Sequence, residues 1–273
     1  MLCFSGGWLA ATVSFRFCRT LLLAAIPAAL LLGNPPSEAA EPLLRVSILV
    51  YHRFGPALTD DMTVTTPVFE GQLRLVQERG YRVIPLRVLV ASLGESPAAL
   101  PDRAVVLTID DGHRSVYTDL FPLIQRFRIP VTLFIYPSAI SNASYALTWA
   151  QLAEMKASGL VDVQSHTFWH PNFNVERRHL APQAYDRFVQ DQLMKSKAVL
   201  DQRLGGNVDL LAWPFGICDT ELMQAASAAG YVAAFSIERR PVTHADKVMA
   251  LPRYIVTDAD RGERFEALLG APK

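Results

Sequence analysis

The chain has 273 residues, with 26 lysines and arginines against 26 aspartates and glutamates, so its formal net charge is zero. This balance argues against electrostatic binding to nucleic acid or to an acidic membrane surface. Cys218 is the only cysteine beyond residue 40, which excludes an intrachain disulfide in the remainder of the chain.

Residues 1–40 differ in composition from the rest of the chain. Two arginines precede the apolar run 21–32, and a cluster of small residues follows it. This order indicates a signal peptide, and a run of about 12 residues is shorter than the ~20 that cross a bilayer. An uncleaved anchor is the alternative, because the leader is long and Pro27 interrupts it. We expect residues 41–273 to form one exported domain, periplasmic or secreted, with membrane contact only through an uncleaved leader.

Short apolar runs bounded by turn residues predict strands, and capped amphipathic segments predict helices. The predicted strands are 47–51, 81–84, 105–109, 131–136, 161–165, 210–213, 232–236 and 254–256. The predicted helices run from Thr66 to Gly80, over 86–93, over 114–127, from Thr148 to near Gly159, over 182–204, from Asp219 or Thr220 to Ala229, and over 265–269. This alternation predicts a parallel sheet covered by helices, and seven or eight strands in about 233 residues favour a barrel.

The strand at 105–109 ends in two adjacent acids, Asp110 and Asp111, followed by Gly112. Catalytic groups of α/β folds gather where strands give way to loops, and unpaired buried carboxylates are costly. The acid pair therefore suggests a functional site. The alternative from this stretch alone is a loop acid pair that caps the following helix.

His166 and His170 directly follow the strand at 161–165. Two histidines at this spacing are more often incidental than metal ligands when they stand alone. Combined with one carboxylate from another strand end, they make a three-ligand site with open positions for water, as in catalytic zinc sites. The second carboxylate would then be free to act as a base.

Two motifs resemble a known family. Thr108-Ile109-Asp110-Asp111-Gly112 and His166-Thr167-Phe168-Trp169-His170-Pro171 are similar to the first two motifs of the NodB-homology polysaccharide deacetylases, carbohydrate esterase family four. The first family motif is Thr-Phe-Asp-Asp-Gly, from which Ile109 departs, and the second is His-(Ser/Thr)-x-x-His-Pro. The resemblance covers about residues 48–256. It implies a distorted (β/α) barrel of about seven parallel strands that hydrolyses N-acetyl groups on amino-sugar polymers.

The resemblance also implies roles for the motif residues. Asp110 is expected to be the catalytic base, and Asp111, His166 and His170 are expected to bind one divalent metal ion. Two histidines and a carboxylate suit zinc, although cobalt, nickel or manganese would also fit. Zinc lowers the pKa of bound water and polarises the amide carbonyl, and Asp110 would take the proton of that water.

The third family motif, Arg-x-Pro-(Phe/Tyr), stands here as Ala212-Trp213-Pro214-Phe215 and lacks its arginine. Arg253 is the candidate to replace that charge and orient the base, with a surface arginine as the alternative. Phe215 is expected to offer its backbone N–H to the developing oxyanion. Trp213 is expected to line the sugar groove, or else to be a core aromatic residue. The fourth motif, Asp-x-x-Asp-Trp, is not found.

Two histidines compete for the general acid that protonates the leaving amine. Val50-Tyr51-His52 resembles the exported poly-β-1,6-N-acetylglucosamine deacetylase branch, in which this histidine comes from the N-terminal side. Val242-Thr243-His244 resembles the Leu-x-His of the fifth family motif. We favour His52 because it directly follows a strand, and we expect His244 to meet solvent.

The expected function is metal-dependent removal of acetyl groups from amino-sugar residues of an extracytoplasmic polysaccharide, with an N-acetylated polysaccharide or oligosaccharide as partner. A non-catalytic carbohydrate-binding protein on the same scaffold is the alternative, since an arginine and the fourth motif are missing. A glycosidase ranks last, because adjacent acids cannot flank a sugar bond. Poly-N-acetylglucosamine, peptidoglycan, chitin-like chains and small N-acetylated sugars all remain open as substrates.

Overall fold

A computed structural model describes residues 44–94 and 99–270, together with Ser14. The predicted leader and the tip of the loop predicted at 95–101 therefore lie outside the described residues, Ser14 apart. No helix in the described part of the chain is both long enough and apolar enough to span a membrane.

The main sheet is parallel throughout and has the spatial order β10-β1-β5-β6-β7-β8-β9, with β4 paired to the start of β5. Phe235 of β9 bridges to Leu251, just before β10, so the sheet curls back towards its first edge. This is the predicted distorted barrel. The strands are β1 Ser47–Tyr51, β2 Arg53–Gly55, β3 Thr63–Thr65, β4 Arg82–Val83, β5 Ala104–Asp111, β6 Val131–Ile135, β7 Val161–Ser165, β8 Leu210–Ala212, β9 Ala233–Phe235 and β10 Tyr254–Ile255.

The helices pack outside this sheet and follow the predicted order. Thr148 and Gln151 form a reciprocal capping box at the start of α4, and Asp219 rather than Thr220 caps α7. The helices are α1 Thr66–Glu78, α2 Leu86–Ser92, α3 Phe121–Phe127, α4 Trp149–Ala157, α5 Phe173–His179, α6 Pro182–Leu204, α7 Thr220–Ala228 and α8 Glu263–Leu268.

Three elements differ from the predictions. The helix predicted over 114–127 begins as a π-helical segment, Val116–Leu120, before α3, and Pro122 in the first turn of α3 has no N–H to continue an α-helical ladder. Helix α5, capped by the Asn172 side chain, was not predicted. The parallel pair β2–β3 was not predicted either, because three-residue strands are too short to show a period.

Buried apolar side chains form two groups that alternate along the strands. Ile48, Val106 and Phe134 belong to the inner group, which fills the barrel, whereas their neighbours Leu49 and Leu107 belong to the outer group, which packs under the helices. Strand side chains alternate between faces. Thr108 and Asp110 therefore continue the inward row of Val106, and the barrel interior becomes polar towards the carboxyl ends of the strands.

The turn after β5 requires glycine at position 112. Gly112 has φ +77°, and a Cβ atom there would lie 2.8 Å from Cδ1 of Ile135. Gly80 has a similar φ of +70°, but no atom lies within 4 Å of a Cβ placed there. An alanine at either position would be strained by the positive φ, but only at position 112 would its Cβ atom also meet a close side chain.

We predict that Gly112→Ala lowers the free energy of unfolding by about 2–4 kcal/mol, since left-handed strain and overpacking add. Gly80→Ala is the matched control and is expected to lose roughly 1–2 kcal/mol from strain alone. Urea denaturation of both variants measures the difference. Equal losses would show that Ile135 moves aside freely and that the contact is unimportant.

Candidate metal centre and active site

The carboxyl ends of three neighbouring strands bring the predicted metal ligands together. Asp111 ends β5, and His166 follows β7. Strand β6 lies between them, with Ile135 aligned to both Asp111 and Ser165. His170 comes from the loop that follows His166. Adjacent parallel strands therefore bring the acid close to the two histidines, although they are far apart in sequence.

Asp111, His166 and His170 each offer one ligand atom, and these atoms all lie within 4.8 Å of one another. Oδ1 of Asp111 lies 3.6 Å from Nε2 of His166 and 3.7 Å from Nε2 of His170. Two ligand atoms bound to one tetrahedral ion at roughly 2.1 Å are about 3.4 Å apart, so the spacing fits a metal ion.

A hydrogen bond orients the first histidine for this task. Nδ1 of His166 lies 2.8 Å from the carbonyl oxygen of Ala212. A carbonyl can only accept, so in the neutral imidazole the proton resides on Nδ1 and Nε2 is left with a lone pair. The side chain is almost fully buried, at 2% exposure, which keeps this orientation fixed.

Backbone strain is concentrated around the same site. Six non-glycine residues in the described ranges have positive φ, and four of them are Asp111 (73°), Thr167 (63°), His170 (64°) and Phe215 (57°). Such conformations cost on the order of 1–3 kcal/mol each and persist only where the surrounding structure imposes them. The surrounding structure therefore holds these four residues in unfavourable conformations around the candidate site.

Asp110 is held by a buried arginine. Nη1 and Nη2 of Arg253 donate to the two carboxylate oxygens of Asp110 at 2.9 and 2.8 Å, and Nε of Arg253 donates to the Ser236 carbonyl. Arg253 is fully buried, so the alternative of a surface arginine is wrong. Burial alone raises the pKa of Asp110, but the charge of Arg253 and the hydrogen bonds that it donates outweigh burial and lower that pKa to about 2.

His52 lies within electrostatic reach of this cluster, and its interactions include Asp110, Asp111 and Arg253. Burial lowers its pKa, and the two carboxylates oppose that effect. Nδ1 of His52 is buried and has no hydrogen-bond partner among the described residues, whereas the residue as a whole is partly exposed. His244 is exposed in the turn that Asp246 closes with Thr243.

The two aromatic residues of the third motif lie in different environments. Phe215 is 57% exposed, and its ring centroid lies 4.7 Å from that of His170. Trp213 is fully buried, and its indole N–H donates to the Met249 carbonyl at 2.9 Å. The prediction that Trp213 lines a sugar groove is therefore wrong, and the core alternative holds, because the indole finds its partner inside the fold.

The structure adds aromatic residues that sequence reasoning did not single out. Tyr136 directly follows β6, and its ring centroid lies 5.5 Å from that of His170. Trp169, inside the second motif, is 42% exposed. The position of Tyr136 at a strand end, between the strands that carry the acids and the histidines, was the signal that could have identified it.

Comparison with known proteins agrees with this geometry. Residues 98–234 match the polysaccharide deacetylase family. The chain is 24% identical over 232 residues to the poly-β-1,6-N-acetyl-D-glucosamine N-deacetylase of Escherichia coli (strain K12), covering 72% of this chain and 34% of that protein. It is 22% identical over 211 residues to the enzyme of the same name from Staphylococcus aureus (strain MRSA252), covering 76% of this chain and 71% of that one.

A solved structure shares the fold. The Streptococcus pyogenes deacetylase PplD, determined in complex with acetate, superposes with a TM-score of 0.74 at 22% identity, covering 84% of this chain and 99% of that one. The chain belongs to the polysaccharide deacetylase family. It is thus an enzyme of the class that hydrolyses amide bonds, as predicted.

We predict that Arg253→Met lowers the free energy of unfolding by about 3–5 kcal/mol, because it leaves a buried carboxylate without its partner. The double variant Asp110→Asn/Arg253→Met should lose less than the single variant, since it removes both charges. Arg79→Met is the control, because it breaks an exposed pair with Glu266, and we expect it to lose far less. Urea denaturation at pH 7 of these three variants and of Asp110→Asn gives the values, and a loss in the double variant equal to the sum of the two single losses would contradict the ion pair.

Proposed function

We propose that the protein is a metal-dependent N-deacetylase that removes acetyl groups from N-acetylhexosamine residues of an extracytoplasmic polysaccharide. One observation carries this proposal. A buried carboxylate, that of Asp110, lies 3.8 Å from Nε2 of His166, beside the ligand set of Asp111, His166 and His170. A base next to a three-ligand site is the arrangement that metal-assisted amide hydrolysis requires.

Asp111, His166 and His170 would hold one divalent ion, for which zinc is the favoured candidate because two imidazoles and one carboxylate suit it. When bound, such an ion polarises an acetyl carbonyl and lowers the pKa of water. The donor set fits on chemical grounds, since the neutral imidazole of His166 has its lone pair on Nε2 and Asp111 supplies an oxygen between the two histidines.

Asp110 would accept the proton of the attacking water on a carboxylate oxygen. Arg253 acts through Asp110 as a positioning residue, since its bidentate contact fixes the plane of the carboxylate and keeps it ionised at neutral pH. Its charge takes the place of the arginine missing from the third motif, although it comes from the segment just before β10.

His52 would deliver a proton to the nitrogen as the carbon–nitrogen bond breaks, so that amine and acetate leave. Its partly buried position, within electrostatic reach of Asp110 and Asp111, supports this assignment over the exposed His244. The backbone N–H of Phe215 would stabilise the negative charge that develops on the carbonyl oxygen. The exposed Phe215 ring has its centroid 4.7 Å from that of His170, which supports a role for this segment beside the ligand set.

The named relatives from E. coli and S. aureus make a β-1,6-linked N-acetylglucosamine polymer the first substrate to test. Peptidoglycan and chitin-like chains are the comparison substrates. Residues 1–40 would act as the export signal, and the deacetylase domain would extend from residue 41 to residue 273. No observation favours the alternative of a non-catalytic carbohydrate-binding protein.

The test is acetate release from N-acetylglucosamine oligomers by the purified protein, with metal content measured in parallel. We expect a chelator to abolish release and added zinc to restore it. Asp110→Asn should keep its metal and lose about 10²–10⁴-fold in rate, whereas His166→Ala should lose the metal itself. Metal-loaded protein that releases no acetate from any oligomer would contradict the function, and wild-type protein that binds no metal would contradict the ligand assignment.

The two candidate acids are separated by one pair of variants. His52→Asn should lower kcat by about 10²–10⁴-fold with unchanged metal content, because the leaving amine is then not protonated. His244→Asn, the matched change at the exposed position, should leave kcat unaltered. The reverse pattern would transfer the role to His244.

A further inference from the structure

We propose that Tyr136, Tyr145 and His113 form a subsite that binds the sugar residue next to the one being deacetylated. We call these three side chains the aromatic row. The inference deepens the proposed function and rests on it. It predicts that the enzyme acts on oligomers and polymers in preference to single N-acetylated sugars.

The aromatic row begins at the metal centre. The Tyr136 ring lies 5.5 Å from that of His170 and 6.5 Å from that of His166, so one edge of the row touches the ligand set. The hydroxyl of Tyr136 is hydrogen-bonded to that of Tyr145 at 3.0 Å. Tyr136 is half-buried and Tyr145 is 45% exposed, so the row leads from the site out to the surface.

The outer end of the aromatic row is a stacked pair. The rings of Tyr145 and His113 are nearly parallel, with an interplanar angle of 9° and centroids 6.4 Å apart. Nδ1 of His113 accepts the backbone N–H of Ser115 at 3.2 Å, so the ring proton sits on Nε2. The pair therefore presents a phenol hydroxyl and an imidazole N–H, which are groups that hydrogen-bond sugar hydroxyls.

Backbone contacts hold this outer pair in place. Arg114 N donates to the Tyr145 carbonyl at 2.7 Å, and Leu147 N donates to the Gly112 carbonyl at 2.9 Å. These bonds join the loop that carries Tyr145 to the loop directly after Asp111. The row is thus a preformed surface tied to the acid pair, and little conformational entropy is lost when a ligand binds.

Exposure supports a binding role. The aromatic side chains that are exposed in the described ranges are Tyr145, Trp169 and Phe215. Tyr145 is hydrogen-bonded to Tyr136 and Phe215 contacts His170, whereas the Trp169 ring packs against Phe188. Aromatic residues that cluster at the surface are not explained by core packing and mark interaction sites. A pyranose offers an apolar face for ring contact and hydroxyls at its edge, which matches rings that carry polar tips.

The contacts of Tyr136 indicate which sugar the row binds. Tyr136 has a ring contact with His170 and a hydroxyl bond to Tyr145, so Tyr145 is linked to the ligand set through Tyr136. A single N-acetylated sugar at the metal centre would not need it. The adjoining residue of a chain would reach it, and binding energy gained there can be used to orient the reacting residue.

The test compares kcat/KM for acetate release from single N-acetylglucosamine and from its β-linked tetramer, using the metal-loaded full chain. Tyr145→Ala is expected to lower kcat/KM about tenfold on the tetramer and to leave the single sugar unchanged. Tyr145→Phe, which removes only the hydroxyl bonded to Tyr136, should lose part of that factor. Tyr117→Phe is the matched control, because it removes a hydroxyl bonded to Glu154, outside the row, and both substrates should be unaffected.

An equal fall on both substrates, or no fall on the tetramer, would overturn the subsite. Titration calorimetry of the tetramer into wild-type and Tyr145→Ala protein separates this result from failure of the proposed function. Protein that releases no acetate but loses tetramer affinity about tenfold on Tyr145→Ala keeps the subsite and refutes the deacetylase. Acetate release by the wild-type protein, together with a tetramer affinity that Tyr145→Ala leaves unchanged, supports the deacetylase and refutes the subsite.

Discussion

The buried ion pair of Asp110 and Arg253 is the interaction on which the rest of the site depends. Both side chains are withdrawn from water, at 2% and 0% exposure, and neither charge could be tolerated there alone. Arg253 precedes β10 and Asp110 lies on β5, while Nε of Arg253 reaches the Ser236 carbonyl beyond β9. The contact that orients the proposed base thus also draws the last strand of the sheet against the barrel interior. The same side chain therefore helps to close the sheet and aligns the carboxylate.

A second constraint explains how two adjacent acids serve one site. Regular strand alternation would send Asp110 and Asp111 to opposite faces. Asp110 keeps the inward direction, whereas Asp111 adopts φ +73° at the end of β5 and brings its Oδ1 within 3.7 Å of both histidines. Gly112 follows with φ +77°, so two left-handed residues in succession turn the chain. The strain is local, and it allows the proposed base and the proposed metal ligand to be neighbours in sequence.

The sequence predicted well wherever a signal was local. Buried parallel strands appear as apolar runs, so all eight strands of the main sheet were found, and the acids and histidines were identified from short motifs. Features that depend on contacts distant in sequence were missed or left open. Trp213 has the same local pattern whether it points inwards or outwards, and the deciding hydrogen bond is the one that its indole N–H donates to the Met249 carbonyl. Arg253 could be suggested from a missing charge, but its burial could not be. The Tyr145–His113 pair is held by backbone hydrogen bonds between two loops, and such contacts give no periodic pattern in the sequence.

The site also divides into two walls on either side of Asp110. Strands β6 and β7 lie on one side and lead into Tyr136 and the two histidines proposed as metal ligands. Strands β1 and β10 lie on the other, next to the proposed acid His52 and the proposed positioning residue Arg253. The stretch that matches the polysaccharide deacetylase family, residues 98–234, contains the first wall and both acids but neither His52 nor Arg253. Under the proposed mechanism, metal binding belongs to the matched stretch and proton handling is completed by the two flanking strands. Since the sheet order β10-β1-β5 brings these strands together, the fold supplies from its two ends the groups that the third motif and the matched stretch lack.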